Sequence, residues 1–206
     1  MKSIQGTAGE QMKIPDREDA INAVDVLVRY IEQCGKDLRE GLEKTPERVI
    51  KSYEELFRGY SQDAGEILDS TFNAEGYDGI VLLRDMEFHS TCEHHLQPFS
   101  GRGHIAYIPV ERIVGISKLA RLLDMYSMRL QNQERITQSI ANDIMEHLSP
   151  LGCAVILEAQ HGCMKCRGVK KQNSVMITSA MRGVFFDTGD ARSEVLQLIR
   201  SQSVQG

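Results

Sequence analysis

The sequence predicts an α+β fold: a helical arm followed by an antiparallel four-stranded sheet with two helices between its hairpins, in the order ββααββ. Three observations predict it. The first sixty or so residues repeat apolar positions at helical spacing, the texture changes at Gly79 to short β-rich runs, and two consecutive amphipathic segments separate one pair of runs from the next.

Residues 1–15 are polar, end at Pro15 and are expected to form a flexible N-terminal segment. Ile21, Val24, Leu27, Val28 and Ile31 then share one helical face until Cys34-Gly35 provides a stop. A second helix opens at "KTPERV", where Thr45 can cap and Pro46 suits the first turn, and it runs through Val49, Tyr53 and Leu56 toward Gly59. "GIVLLRDMEFHS" and "GRGHIAYIPV" read as an antiparallel strand pair. "GISKLARLLDMYSMRL" and "QERITQSIANDIMEHL" read as the two helices, "CAVILEAQH" and "SVMITSAMRGVFF" as the second strand pair, and Arg192 to Ser201 as a short closing helix. The expected organisation is a segment 1–15, a helical region 16–78 and a sheet-bearing domain 79–206.

A chain of 206 residues with 41% hydrophobic content can bury one sizeable core. No apolar run approaches the roughly 20 residues of a membrane span, and the opening lacks the apolar centre of a secretory signal, so a soluble cytoplasmic protein is expected. Five cysteines, Cys34, Cys92, Cys153, Cys163 and Cys166, are odd in number and irregularly spaced, which favours free thiols or metal ligands over a disulfide framework. The formal charge of -5 argues against a general nucleic-acid binder, although a local group of cations can still collect an anionic small molecule.

"STCEHHLQPF" concentrates Cys92, Glu93, His94 and His95 in four positions. The Cys92-x-x-His95 spacing lets a thiolate and an imidazole reach one tetrahedral Zn²⁺, but alone it is a weak pattern. "QHGCMKCRG" adds Cys163 and Cys166 after another expected strand, and neighbouring strand ends can bring the two clusters together. Two thiolates and one imidazole neutralise Zn²⁺ and leave a fourth position for water. The plain alternative makes these cysteines small buried hydrophobes and the histidines surface groups. If His95 binds metal, His94 on an extended segment points to the other side and is free to act as acid or base. His161, two residues before Cys163, faces the same side as that ligand if the strand persists.

In "GISKLARLLD", Ser117 is the expected helix N-cap, with Lys118 and Arg121 on one face of the first turns, where the helix dipole also favours anions. A polyphosphate suits such a site. Taken singly, that pair, Arg48 in "TPERV" and Arg167 in "KCRG" read as solvated charges, and Glu134 as a favourable charge in a first turn.

Together, "TPERV", "STCEHHLQPFSGRGHIAYIP", "GISKLARLLD", "RLQNQERITQSIA" and "HGCMKCRG" resemble GTP cyclohydrolase I, in this order and over roughly residues 16 to 202. The resemblance implies a T-fold, which agrees with the ββααββ order, and a toroidal homodecamer with sites at subunit boundaries. It implies that Cys92, His95 and Cys163 hold zinc and that His94 and His161 transfer protons. It assigns Glu134, with Gln133 beside it, to the guanine edge, Arg48, Lys118, Arg121 and Arg167 to the triphosphate, and Ser117 to the ribose and phosphates. The implied reaction takes GTP and water to formate and 7,8-dihydroneopterin triphosphate, the first step of pterin and tetrahydrofolate biosynthesis. Two departures stand out: Cys166, a rival or additional ligand by spacing alone, and Asn132, where Val is usual. Two other readings remain at this point. One is a zinc-stabilised structural or interaction module with Cys166 as fourth ligand. The other is a related T-fold enzyme, the nitrile reductase acting on a deazaguanine.

Overall fold

The computed structural model describes residues 14–35 and 37–201, so the expected flexible segment, apart from Ile14 and Pro15, lies outside the described residues. The chain forms two compact units, one ending at Glu55 and one beginning at Leu56. In the first, helix α1 (Arg17–Glu32) starts at Asp16, whose carboxylate accepts from the Glu18 and Asp19 N–H groups while Asp19 reaches back to the Asp16 N–H. This capping box satisfies donors that the helix cannot use internally. Gln33 closes α1 in the left-handed region, at φ 52°. Helix α2 (Thr45–Leu56) has Pro46 in its first turn, as expected, but Thr45 is its first helical residue rather than a cap ahead of it.

The second unit contains helix α3 (Ala64–Leu68), strands β1 (Thr71–Asn73), β2 (Val81–Cys92), β3 (Pro98–Ile108) and β4 (Arg112–Val114), and helix α4 (Ile116–Ser127). Strand β5 (Leu130–Gln131), helix α5 (Gln133–Leu148), strand β6 (Gly152–His161), helix α6 (Gly162–Lys165), strand β7 (Met176–Gly183) and helices α7 (Val184–Asp187) and α8 (Gly189–Arg200) follow. The principal sheet has the order β5-β2-β3-β6-β7. Its four long strands are antiparallel neighbours, with α4 and α5 in the chain between the two hairpins, which is the anticipated ββααββ arrangement of a T-fold. The fifth strand, two residues of β5 pairing parallel to the end of β2, went unseen in the sequence because so short a strand shows no periodicity. The unit also takes in α3 and β1 ahead of Gly79: Leu68 is buried in the sheet's core and β1 pairs with β4.

Strand alternation separates two apolar layers. Ile105 and Tyr107 of β3, with Cys153, Val155 and Leu157 of β6, meet Leu119, Leu122 and Leu123 of α4 and Ile136, Ile140 and Ile144 of α5. Ala106 and Ala154 face the other way, toward Phe185 and Val195. Burying each large side chain of the first layer is worth about 1.5–3 kcal/mol, so this layer fixes the register of the strands that carry the site.

Gly101 shows how tightly β3 is held. A Cβ there would sit 1.9 Å from the Glu158 carbonyl oxygen and 2.6 Å from the Ala159 Cα, both backbone atoms of β6. Gly101→Ala is expected to lower stability by about 3 kcal/mol, the upper end for overpacking. Denaturant midpoints measure it, with Gly189→Ala, where no atom lies within 4 Å, as the neutral control. Equal midpoints for the two variants would refute the account of β3.

Candidate active site

Three strand ends build the site. Cys92 is the last residue of β2, Phe99, the second residue of β3, pairs with Ser90, and Phe99 pairs on its other side with His161, the last residue of β6. Two residues beyond His161, Cys163 is carried back into the same region by α6. The ligand atoms of Cys92, His95 and Cys163 all lie within 4.8 Å of one another, and the Cys92 Sγ is 3.9 Å from the His95 Nδ1. Two soft thiolates and one imidazole on such a triangle are a donor set for a tetrahedral metal with one position left over. Burial and then the neighbouring Cys92 raise the Cys163 pKa, while the Arg167 charge opposes that rise. Two adjacent thiolates are held together most readily by a cation, so the residues present fit a metal ion. Cys166, the rival by spacing, is not in the triangle; it is exposed, with its Sγ 3.8 Å from the Gln97 Oε1.

Two local expectations are corrected. Residues 93–95 form a turn rather than an extended segment, so His94 does not point away: its Nδ1 is also 3.9 Å from the Cys92 Sγ. Nor does β6 persist to Cys163, because α6 begins at Gly162. The turn follows from the backbone, where the His95 and Leu96 N–H groups both donate to the Cys92 carbonyl and Leu96 adopts φ 53°.

His161 stacks on Phe99 with ring centroids 4.4 Å apart and planes 6° from parallel. Burial lowers its pKa, and the nearby Glu134 charge acts in the opposite direction. Its Nε2 is 2.9 Å from the Gln133 Oε1. Gln133 is fully buried; its Nε2 lies 3.0 Å from the Leu157 carbonyl oxygen and 3.1 Å from that of Met176. The sequence put Gln133 at the substrate with Glu134, but successive residues of α5 diverge by about 100°, and only Glu134 is exposed.

A clamp that the sequence reading missed joins the turn at 93–95 to α5. Asn132 caps α5 by accepting from the Arg135 N–H, and its Nδ2 donates to the Glu93 Oε1. The Arg135 guanidinium binds both oxygens of the same carboxylate, at 2.6 and 3.2 Å, and with Asn132 holds its pKa below the ordinary carboxylate range. An Asn directly before an amphipathic run is the N-cap signal that should have exposed half of this clamp.

The GTP cyclohydrolase I family pattern matches residues 22–200. GTP cyclohydrolase 1 of Synechococcus sp. (strain JA-2-3B'a(2-13)) is 49% identical over 199 residues, covering 95% of this chain and 86% of that protein. The protein of the same name from Leptospira biflexa serovar Patoc (strain Patoc 1 / Ames) is 48% identical over 180 residues, or 87% of this chain and 98% of its own. This chain belongs to the GTP cyclohydrolase I family. Among solved structures, the apo form of archaeosine synthase QueF-Like aligns with a TM-score of 0.43 and 16% identity over 50% of this chain and 93% of its own, too distant a likeness to bear on activity.

For a GTP cyclohydrolase I, the residues expected to meet the triphosphate are unevenly placed within one chain. Arg167 follows α6 and its charge reaches Cys163. Ser117, Lys118 and Arg121 lie in the first turns of α4, whose N-cap is Gly115 rather than the expected Ser117. Helix α4 ends near β5, beside Thr91 and Cys92, whereas its beginning follows β4, where the Val114 N–H donates to the Tyr107 hydroxyl opposite Val81 and Cys153. These twelve helical residues span about 18 Å, so the chain's own Ser117 and Lys118 stand toward the far end of the sheet from the triangle of Cys92, His95 and Cys163. Arg48 lies in the first unit, on α2, in a pocket with Arg17, Lys44, Glu47 and Lys51.

Proposed function

We propose that this chain is a zinc-dependent GTP cyclohydrolase I that hydrolyses GTP to formate and 7,8-dihydroneopterin triphosphate at a site built on the 79–206 domain. Membership of the family carries the reaction class. One structural observation supports its location: the Cys92, His95 and Cys163 triangle shares an end of the sheet with His161 and the first turn of α5. Cys92, His95 and Cys163 would hold the zinc ion, which would supply Lewis acidity for activating water toward hydrolysis of the purine ring. His94 and His161 move protons to and from the opening imidazole ring of the substrate. Glu134 holds the guanine edge through two carboxylate acceptors, near enough to His161 for its charge to be felt.

The position of Ser117, Lys118 and Arg121 supports a site completed by a second copy of the chain, in the homodecamer that the family resemblance implies. Their cations, with Arg48 and Arg167, hold the triphosphate and keep the substrate in place through the successive hydrolytic steps. The exclusion of Cys166 from the triangle favours the enzyme over a closed four-ligand module. Among the described residues no helix is long and apolar enough to cross a membrane. We place the enzyme in the cytoplasm, where thiol ligands stay reduced.

The reading is tested by incubating the zinc-loaded protein with GTP and measuring formate together with pterin fluorescence; zinc-dependent formation of both is expected, and neither product would overturn it. Glu134→Gln replaces an acceptor pair with a mixed amide and is expected to reduce the preference for GTP over ATP by about 10-fold or more in kcat/KM. An unchanged preference removes Glu134 from the guanine edge.

A further inference from the structure

The side chain of Gln133 is enclosed in a network whose polarity can be worked out donor by donor. Two neighbours of its Nε2, the carbonyl oxygens of Leu157 and Met176, can only accept. The third is the Thr178 Oγ1, at 3.1 Å. Thr137 uses its hydroxyl proton on the Gln133 main-chain carbonyl at 2.8 Å. In the 2.7 Å contact between the two threonine hydroxyls, Thr178 is therefore the donor, and its oxygen is left to accept from Gln133. Every neighbour on that side requires the NH₂ end of the amide. The opposite orientation would set the amide oxygen against two carbonyl oxygens in a fully buried position, where an unmet polar group is costly.

The Gln133 Oε1 therefore faces His161, and an amide oxygen can only accept. We infer that Gln133 is a positioning residue that holds His161 in the tautomer with hydrogen on Nε2, leaving Nδ1 as the nitrogen presented to the substrate. The inference rests on the acid–base role proposed for His161 and deepens it. The Phe99 stack fixes the plane of the ring and the Gln133 bond fixes its rotation within that plane, so Nδ1 is presented in one direction. Gln133 acts on the reaction through the imidazole and does not touch the guanine.

The test combines a spectroscopic signature with a kinetic split. Zinc-loaded full-length protein carrying ring-¹⁵N histidine is studied by solid-state NMR at a pH where His161 is neutral, with His161 assigned by comparison with His161→Asn. The expected signal is a protonated Nε2 and a bare Nδ1; a protonated Nδ1 overturns the inference whatever the activity. Gln133→Met, close in volume but without the acceptor, is expected to mix the two tautomers and lower kcat by roughly 10- to 100-fold, less than the 10²–10⁴ for losing an acid–base group outright. KM for GTP should stay within about 2-fold. A raised KM with unchanged kcat would return Gln133 to the substrate and overturn the positioning role. If the variant does not fold, the wild-type tautomer decides alone. Absence of formate from wild-type protein would count against the proposed reaction, whereas the tautomer reading is independent of turnover.

Discussion

Cys163→Ser is expected to empty the metal site and abolish formate release, while Cys166→Ala keeps both. A serine hydroxyl stays protonated where a thiolate would bind, so the site loses one of two anionic donors and the open tetrahedral arrangement with it. The loss in zinc affinity should exceed the 10- to 100-fold typical of removing a mere outer partner of a ligand. Cys166 is a fair control because the two cysteines share one short segment, yet the Cys166 sulfur lies outside the triangle and approaches Gln97 instead. Metal analysis of purified proteins and single-turnover formate release make the comparison. Stoichiometric zinc in the Cys163 variant would remove it from the ligand set, and zinc loss in the Cys166 variant would point to the closed structural module.

The second large effect separates two adjacent imidazoles. His95→Ala should lower metal occupancy, whereas His94→Ala should retain zinc and bind GTP but form product roughly 10²–10⁴ more slowly, equivalent to about 3–5 kcal/mol of transition-state stabilisation. The geometry makes this a demanding test, because the Nδ1 atoms of both rings are 3.9 Å from the Cys92 Sγ. What distinguishes them is Cys163: the group of mutually close donors includes His95. His94 instead has its Nε2 3.8 Å from the clamped Glu93 carboxylate. A metal-depleted His94 variant, or one with nearly full formate release, would defeat the division.

How much of this was legible in the sequence depends on the range of the interaction responsible. The long helices and strands were readable because their periodicities are local, and Pro46 and the stop after α1 mark their ends within a few residues. The donor set was also readable, since thiol and imidazole chemistry does not depend on the fold. Less local features escaped. The turn at 93–95 is closed by main-chain bonds to Cys92, and a Glu-His-His string has no turn signature to announce it. The Gln133 amide finds its partners 24 to 45 residues away in sequence, so no local pattern distinguishes it from exposed Glu134.

Residue types and their spacing are enough to define the type of chemistry: which side chains can bind a soft metal, carry a proton or attract phosphate, and which segments have the periodicity to bury a sheet under two helices. The tertiary structure decided which of those groups meet. It brought Cys92, His95 and Cys163 together across β2, β3 and β6, left Cys166 outside, enclosed Gln133 behind His161, and set the start of α4 toward the opposite end of the sheet. The physical reason is that donor chemistry and helical or strand periodicity are properties of a residue and its near neighbours, whereas coordination and tautomer depend on atoms placed within about 3–5 Å by strand register and core packing between distant segments.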